Sequence, residues 1–587
     1  MSVCFGSVFI FLLSVIVYVG TESPPIVETS YGKVQGDFIV AKDGTKYEAF
    51  MGVPYAKPPV RELRFEAPQP LSNWTGILNA TSPGDYCLQF CQVKPDYTVR
   101  GSEDCLYLNL YRPLTNVNQT ELLDVIVYIH GGSFMFYGSR NYKSVELIKK
   151  NFILVTFNYR LGPLGFLSTD DEVVPGNMGL KDQVAALQWV QKNIRYFGGN
   201  SSSVTISGMS AGGASVNYHM LSPLSKGLFQ KAISHSGVAV NPWALSEAGQ
   251  EKAKKLAASL QCPTDNNTAM ISCLKSVPGN DIVQRVPLFQ EFLYSPFSPF
   301  GPVVEPDNAQ NTFLTEYPWI ALVNTTSKVP WLVSFTSAEG LYPGAEFIEN
   351  QDFLKKLDKN WNAMAPHLLD YNYTAPVIMK DDISNRIRNL YFPNNITINE
   401  SPNQLIKLLS ERHFESGIAI GLAKYIFYNV CNRDDAIENG LRYREFCGST
   451  TLPQVYVYKF GYSGNFTGAK VFNISDTNYG VNHGDDLLYI FDNKMFDKFA
   501  TDKDKEMQKR MIHMYDSFIR KRVPEFFDDS PMHPVSMNDR GMAILDINAP
   551  DNATSIQMEH PPANLIFWKN LPLNEMKFDL DNLLSGT

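Results

Sequence analysis

Two rhythms of apolar and polar residues alternate along this chain. Short, nearly continuous apolar runs rich in β-branched residues recur at Val125–Ile129, Ile153–Phe157, Val204–Ser207 and Trp331–Phe335. Gly, Asn or Pro bounds these runs, as is usual for strands buried on both faces of a parallel sheet. Between them the apolar residues fall at helical spacing. The clearest such stretch is Leu180–Ile194, where Leu180, Val184, Leu187, Val190 and Ile194 share one face and Gly198-Gly199 lies beyond the end. That face reads as core. Strand and helix in alternation predict an α/β fold with a large, mostly parallel sheet covered by helices on both faces. No internal repeat, low-complexity tract or linker-like shift interrupts the pattern, so residues 21–587 read as a single domain.

Composition adds bounds rather than identity. The 587 residues are 44% apolar and 19% charged, ample for a large core. The net charge of −9, with no long run of Lys or Arg, argues against nucleic-acid binding. The first twenty residues read as a signal peptide cleaved near Gly20, because the apolar stretch Val8–Val19 is short for a membrane span. No Lys or Arg precedes Lys33, which leaves a signal anchor as the competing reading. No second apolar run of spanning length follows, and the C-terminal MKFDLDNLLSGT is neither a GPI tail nor an ER-retrieval address. The expectation is a secreted, extracellular chain with no membrane anchor after processing.

Two further signals agree with an oxidising, extracellular setting. Asn-x-Ser/Thr acceptors stand at Asn73, Asn79, Asn118, Asn200, Asn266, Asn324, Asn372, Asn395, Asn399, Asn465, Asn473 and Asn552. Seven cysteines remain once Cys4 leaves with the signal: Cys87, Cys91, Cys105, Cys262, Cys273, Cys431 and Cys447. They fall in three local clusters, as loop-closing disulfides do, and none has the paired spacing of a zinc site. The odd count leaves one over, and Cys91 is the candidate. Proximity alone suggests Cys431 with Cys447.

Candidate chemistry begins at Gly208-Met209-Ser210-Ala211-Gly212, a G-x-S-x-G sequence. Alone the pattern is weak. Here the strand-like Val204-Thr205-Ile206-Ser207 precedes it and Ala211-Gly212-Gly213-Ala214-Ser215 can open a helix after it, the strand–turn–helix setting of a nucleophile elbow. Small residues are needed in so tight a turn, and the helix N-terminus adds partial positive charge under the reacting centre. A serine hydroxyl needs a base to take its proton. Of nine histidines, His483 stands out, flanked by glycine in Tyr479-Gly480-Val481-Asn482-His483-Gly484-Asp485-Asp486. The others lie in a Gly-rich loop (His130), a helix (His219), a strand-like segment (His235) or charged and irregular contexts (His367, His413, His513, His533, His560). His130-Gly131-Gly132-Ser133-Phe134 follows the run Val125–Ile129, where an H-G-G-G-type loop offers backbone N–H groups to a developing oxyanion. Gly132, Ser133 and Ala211 are the candidate donors. One such donor is typically worth about 2.7–4 kcal/mol of transition-state stabilisation.

The chain also resembles the type-B carboxylesterase and cholinesterase family of α/β-hydrolases from about Pro25 to Leu571. The resemblance rests on Phe50-Met51-Gly52-Val53-Pro54-Tyr55-Ala56 with Pro58-Pro59, Glu103-Asp104-Cys105-Leu106-Tyr107-Leu108-Asn109, and Asn158-Tyr159-Arg160. It continues through Gly176-Asn177, Gly179-Leu180-Lys181-Asp182-Gln183, Phe197-Gly198-Gly199-Asn200, the serine motif and Phe567-Trp568, in the family's order. The residues alone do not single out an acid; the resemblance implies Glu339, in Ser337-Ala338-Glu339-Gly340. It implies the α/β-hydrolase fold, a serine carboxylesterase activity on a small-molecule ester, and no cofactor or metal. It also implies disulfides Cys87–Cys105 and Cys262–Cys273, and ion pairs Arg64–Glu103 and Arg160–Asp182.

Departures from the family narrow the substrate. No Trp lies between Cys87 and Cys105, where cholinesterases use one to receive a quaternary ammonium. Met209 replaces the glutamate usual before the serine, removing a negative charge. Both changes point to neutral, hydrophobic esters, in a pocket to which Phe134, Phe297 and Phe300 are assigned. The Gly-Met-Ser-Ala-Gly-Gly-Ala-Ser run and Pro296-Phe297-Ser298-Pro299-Phe300-Gly301-Pro302 look most like insect carboxylesterases of the general and venom type. A juvenile-hormone-type esterase is the alternative, disfavoured because those carry Gln at the Met209 position. The rival of another class is an inactive cholinesterase-like adhesion or binding protein, which keeps the fold but has lost part of the triad. The sequence does not set an oligomeric state.

Overall fold

In the computed structural model, residues 23–92, 97–114, 121–426, 429, 454–472, 479–535, 537–538, 541–558 and 564–573 are described. The signal-peptide segment, the Cys431/Cys447 pair and the acceptors Asn118 and Asn473 lie outside them.

A twelve-stranded sheet runs through the molecule. Its centre is parallel, in the spatial order Ile153–Phe157, Leu123–Ile129, Gly199–Met209, Lys231–His235, Trp331–Thr336, Val455–Phe460, Gly541–Ala549. Asp37–Val40, Lys46–Pro54 and Tyr107–Pro113 extend it antiparallel at one edge, and Met537–Asn538 and Asn552–Met558 pair antiparallel with the last central strand at the other. The inner strands read as unbroken apolar runs because both faces are covered: every residue of Ile153–Phe157 and Trp331–Thr336 is buried. Burying each Val, Leu or Ile fully contributes about 1.5–3 kcal/mol. The mostly parallel, helix-covered sheet is what the alternating pattern predicted, and it has the α/β-hydrolase architecture that the resemblance implied.

The expected helix forms at Met178–Asn193, with Leu180, Val184, Leu187 and Val190 buried. The strand before Ser210, Gly199–Met209, is longer than its apolar run, with a register shift between Gly199 and Val204 where polar residues join it. Disulfides Cys87–Cys105 and Cys262–Cys273 are present, and Cys91 is buried outside both. Asn73, Asn79, Asn266, Asn395, Asn465 and Asn552 are exposed, and Asn200, Asn372 and Asn399 partly so, positions a glycan can reach. No helix among the described residues is long and apolar enough to cross a membrane.

Candidate active site

The C-terminal edge of the central parallel strands is the usual place for a site in such sheets. Ser210 stands there between the strand Gly199–Met209 and the helix Ala211–Leu221. Its backbone is held at φ 58°, ψ −122°, a conformation costing on the order of 1–3 kcal/mol that its surroundings must enforce. Those surroundings are backbone. A Cβ on Gly212 would lie 2.0 Å from the Ile129 carbonyl oxygen, so only glycine lets the helix start this close to the neighbouring strand. The Ser210 N–H donates to the His235 carbonyl at 2.8 Å.

The Gly-rich loop folds against this elbow. A Cβ on Gly131 would lie 3.1 Å from Ser210 Cβ. The next residues have positive φ, 103° at Gly132 and 54° at Ser133. Ser133 is buried, and its carbonyl accepts from Ser298 Oγ at 2.9 Å, so the loop is fixed from both sides. Ala211 opens its helix, and its N–H has no acceptor one turn earlier within the helix. Thus Ala211 adjoins Ser210 directly, and Gly132 and Ser133 follow the glycine that packs against it.

Glu339 follows the strand Trp331–Thr336 and is fully buried. Its Oε1 accepts from the Thr336 N–H at 2.7 Å and from Ser236 Oγ at 2.6 Å. Its Oε2 lies 2.5 Å from His483 Nδ1. Because a carboxylate only accepts, Nδ1 carries the proton and Nε2 holds the free lone pair. The loop bearing His483 is paired to the residues just before Glu339: Ala338 N–H donates to the Val481 carbonyl, and Val481 N–H to Ser337 Oγ, each at 3.0 Å. Met209 covers Gly484, whose Cβ would meet the Met209 methyl at 2.6 Å, which brings the histidine loop to the serine elbow. His483 Nε2 is buried and has no hydrogen-bond partner among the described residues, so no hydrogen bond joins it to Ser210 Oγ in this resting geometry. Such contacts commonly tighten only with substrate bound.

The other buried histidines have structural partners. His130 Nδ1 lies 2.9 Å from the Gly131 carbonyl, and burial pushes the ring down to about 4. His219 sits between Ser225 and Gln183, and burial takes it to about 3. His413, held to the Leu368 carbonyl, is pushed to about 3 by burial and by Arg412.

Aromatic rings close around the imidazole. Phe414 lies 4.6 Å from the His483 ring and Tyr342 5.6 Å, centroid to centroid. Phe297 packs 5.4 Å from Tyr342. Of the three phenylalanines assigned to the pocket, Phe297 thus reaches the site through Tyr342, and Phe134 adjoins the oxyanion loop. Phe300 packs on Phe289 at 4.8 Å. Ser236, Tyr342 and Phe414 were not singled out from the sequence. The Ser-Gly that ends the strand Lys231–His235, and a tyrosine three residues past the acid, were the available signals.

A carboxylesterase-family model matches residues 23–566. The chain belongs to that family. It is therefore a carboxylic ester hydrolase by descent, and its relatives agree. The esterase is 40% identical to "Venom carboxylesterase-6" of Apis mellifera, over 94% of this chain and 96% of that one. It is 36% identical to "Juvenile hormone esterase" of Tribolium castaneum, over 90% and 89%. The crystal structure of juvenile hormone esterase from Manduca sexta, with OTFP covalently attached, superposes on the esterase with a TM-score of 0.76 and 27% identity, covering 93% of this chain and 99% of that one. Among the described residues, no group of His, Cys, Asp and Glu is arranged to hold a metal ion.

Proposed function

We propose that the esterase is a secreted serine carboxylesterase that hydrolyses neutral, hydrophobic carboxylic esters through an acyl-enzyme. Ser210 is the nucleophile, His483 the general base and acid, and Glu339 the group that fixes the histidine tautomer. The observation that carries this reading is the 2.5 Å contact between His483 Nδ1 and Glu339 Oε2, which leaves Nε2 to serve the serine on its elbow.

Ser210 Oγ attacks the ester carbonyl while its proton passes to His483 Nε2. The imidazolium so formed lies against the Glu339 carboxylate, which stabilises it without taking the proton. The carbonyl oxygen becomes an oxyanion that receives the N–H groups of Gly132, Ser133 and Ala211. Collapse expels the alcohol, which takes the proton from Nε2. Water then repeats the sequence on the acyl-enzyme, releasing the acid and restoring Ser210. Neither metal nor cofactor enters these steps.

The aromatic surround of His483 and the uncharged Met209 beside the nucleophile support a neutral, apolar substrate. The two disulfides and the exposed glycan acceptors support secretion, as does the likeness to a venom carboxylesterase. A panel of esters graded in acyl and alcohol size, with a juvenile hormone included, tests the substrate class. We expect 1-naphthyl acetate to be turned over far faster than acetylthiocholine. Comparable rates would overturn the neutral-substrate assignment, and a strong preference for juvenile hormone would transfer it to the hormone-esterase reading. Ser210→Ala should abolish turnover in a protein that still folds; retained activity would exclude the mechanism.

A further inference from the structure

Beside the proposed catalytic residues the structure buries a second histidine–carboxylate pair. His235 closes the strand Lys231–His235, and its Nδ1 lies 2.9 Å from Asp486 Oδ2, both side chains being wholly buried. The same oxygen accepts from Ser334 Oγ at 3.0 Å and Tyr458 OH at 3.1 Å. On the far side of the ring, Nε2 shares a hydrogen bond with Tyr515 OH, which also contacts Ser207 Oγ at 3.2 Å. Burial alone would raise the Asp486 carboxyl. The His235 ring, with the hydrogen bonds from His235, Ser334 and Tyr458, instead holds it below the ordinary carboxylate value. Desolvating such an anion is costly, so well-packed apolar residues would serve equally well if filling space were its only task.

The attachments of this network suggest its task. The His235 carbonyl accepts the Ser210 N–H at 2.8 Å. Ser236, the next residue, donates to Glu339 at 2.6 Å. Asp486 lies three residues past His483, in the short helix Asp485–Tyr489. His235 and Ser236 therefore touch the nucleophile's backbone, the acid's carboxylate and, across Asp486, the loop that carries the base. His483 Nε2 has no hydrogen-bond partner among the described residues, Ser210 Oγ included, so no bond to the serine holds the imidazole at its working distance.

We infer that His235 and Asp486 are positioning residues, whose pairing fixes the His483 loop against the Ser210 strand and so sets the separation of Nε2 and Oγ. This rests on the reading that Ser210 and His483 react together. Loosening the pair lets the two reacting groups drift, and a displacement of about 1 Å can cost about 100-fold in rate. The His235 and Asp486 side chains are wholly buried, out of reach of a substrate, so the loss falls on kcat rather than KM.

The test compares Asp486→Asn, Tyr458→Phe and Tyr515→Phe with the parent enzyme, and carries Ser210→Ala as a control. Turnover of 1-naphthyl acetate is expressed per folded molecule, with the folded fraction taken from thermal melts. Asp486→Asn is expected to lower kcat about 10- to 100-fold with KM within about twofold. Each Tyr→Phe change, which removes one hydroxyl and spares the core, is expected to lower kcat about two- to fivefold. These two variants decide the matter if Asp486→Asn does not fold. Unchanged kcat per folded molecule, with only the melting temperature lowered, overturns the inference, as does a loss confined to KM. Ser210→Ala separates the two failures: if it retains turnover, the proposed mechanism itself falls. If it is inert while the Asp486 and tyrosine variants keep full kcat, only the positioning role falls.

Discussion

Two carboxylates in this molecule are paired differently, Glu103 with an arginine and Glu339 with a histidine. Near the first disulfide, Arg64 grips Glu103 with two parallel bonds of 2.6 and 2.7 Å. Its remaining Nη1 donates to the carbonyls of Leu274, Lys275 and Val277. At the C-terminal edge of the sheet, His483 and Glu339 are as close, but His483 Nε2 is buried without a hydrogen-bond partner among the described residues. A saturated pair fastens structure. A carboxylate paired with an imidazole whose far nitrogen stays open beside the Ser210 elbow is suited instead to relaying a proton, the role proposed for His483.

The sharpest break of that contrast is Glu339→Gln, which keeps the shape but lets the side-chain amide favour the wrong imidazole tautomer. Loss of kcat by about 10⁴-fold with little change in melting is expected, read from 1-naphthyl ester turnover and a thermal melt. A loss below about tenfold would remove Glu339 from the mechanism. Arg64→Ala should behave in the converse way. About 3–5 kcal/mol of stability disappears with the pair, while kcat per folded molecule holds within about twofold, as denaturant titration and kinetics would show. Equal damage to both quantities would erase the distinction between the two pairs.

A smaller effect sharpens the picture within the catalytic edge. Asp485, buried beside His483, accepts from Thr467 Oγ and the Gly468 N–H, and burial pushes its carboxyl up to about 6. Its folded-state affinity for a proton exceeds the unfolded one, so stability it supports below about pH 4 is lost as pH rises through about 6. Asp485→Asn should therefore gain up to about 2–3 kcal/mol on the parent between pH 4 and 7. Parallel melting curves across that range would show that Asp485 does not titrate there. The smallest change is Ser133→Ala. Its contribution is assigned to the backbone N–H, so kcat should stay within about threefold; a tenfold fall would bring its hydroxyl into the site.

Much of this was legible in the sequence, for reasons that differ by residue. Ser210 is marked locally, because a strand, a tight turn and a helix start must all adjoin it. The inner strands are marked by continuous apolar runs. The antiparallel strand Lys46–Pro54 was not read, since Gly52 and Pro54 break its pattern. His483 was suggested by its glycine-flanked loop, but Glu339 carries no local sign: the two meet across 144 residues of chain. Resemblance supplied it. The His235–Asp486 contact spans 251 residues and was missed, although two adjacent acids entering an apolar run at Asp485-Asp486 were a visible anomaly.

The central claim is that one hydroxyl among many is made reactive by these neighbours. A fluorophosphonate probe, followed by peptide mass mapping, measures that directly. The parent protein should carry a single adduct at Ser210, formed far more slowly in His483→Ala and absent in Ser210→Ala. An adduct on any other residue, or equal labelling of the Ser210→Ala protein, would contradict the account.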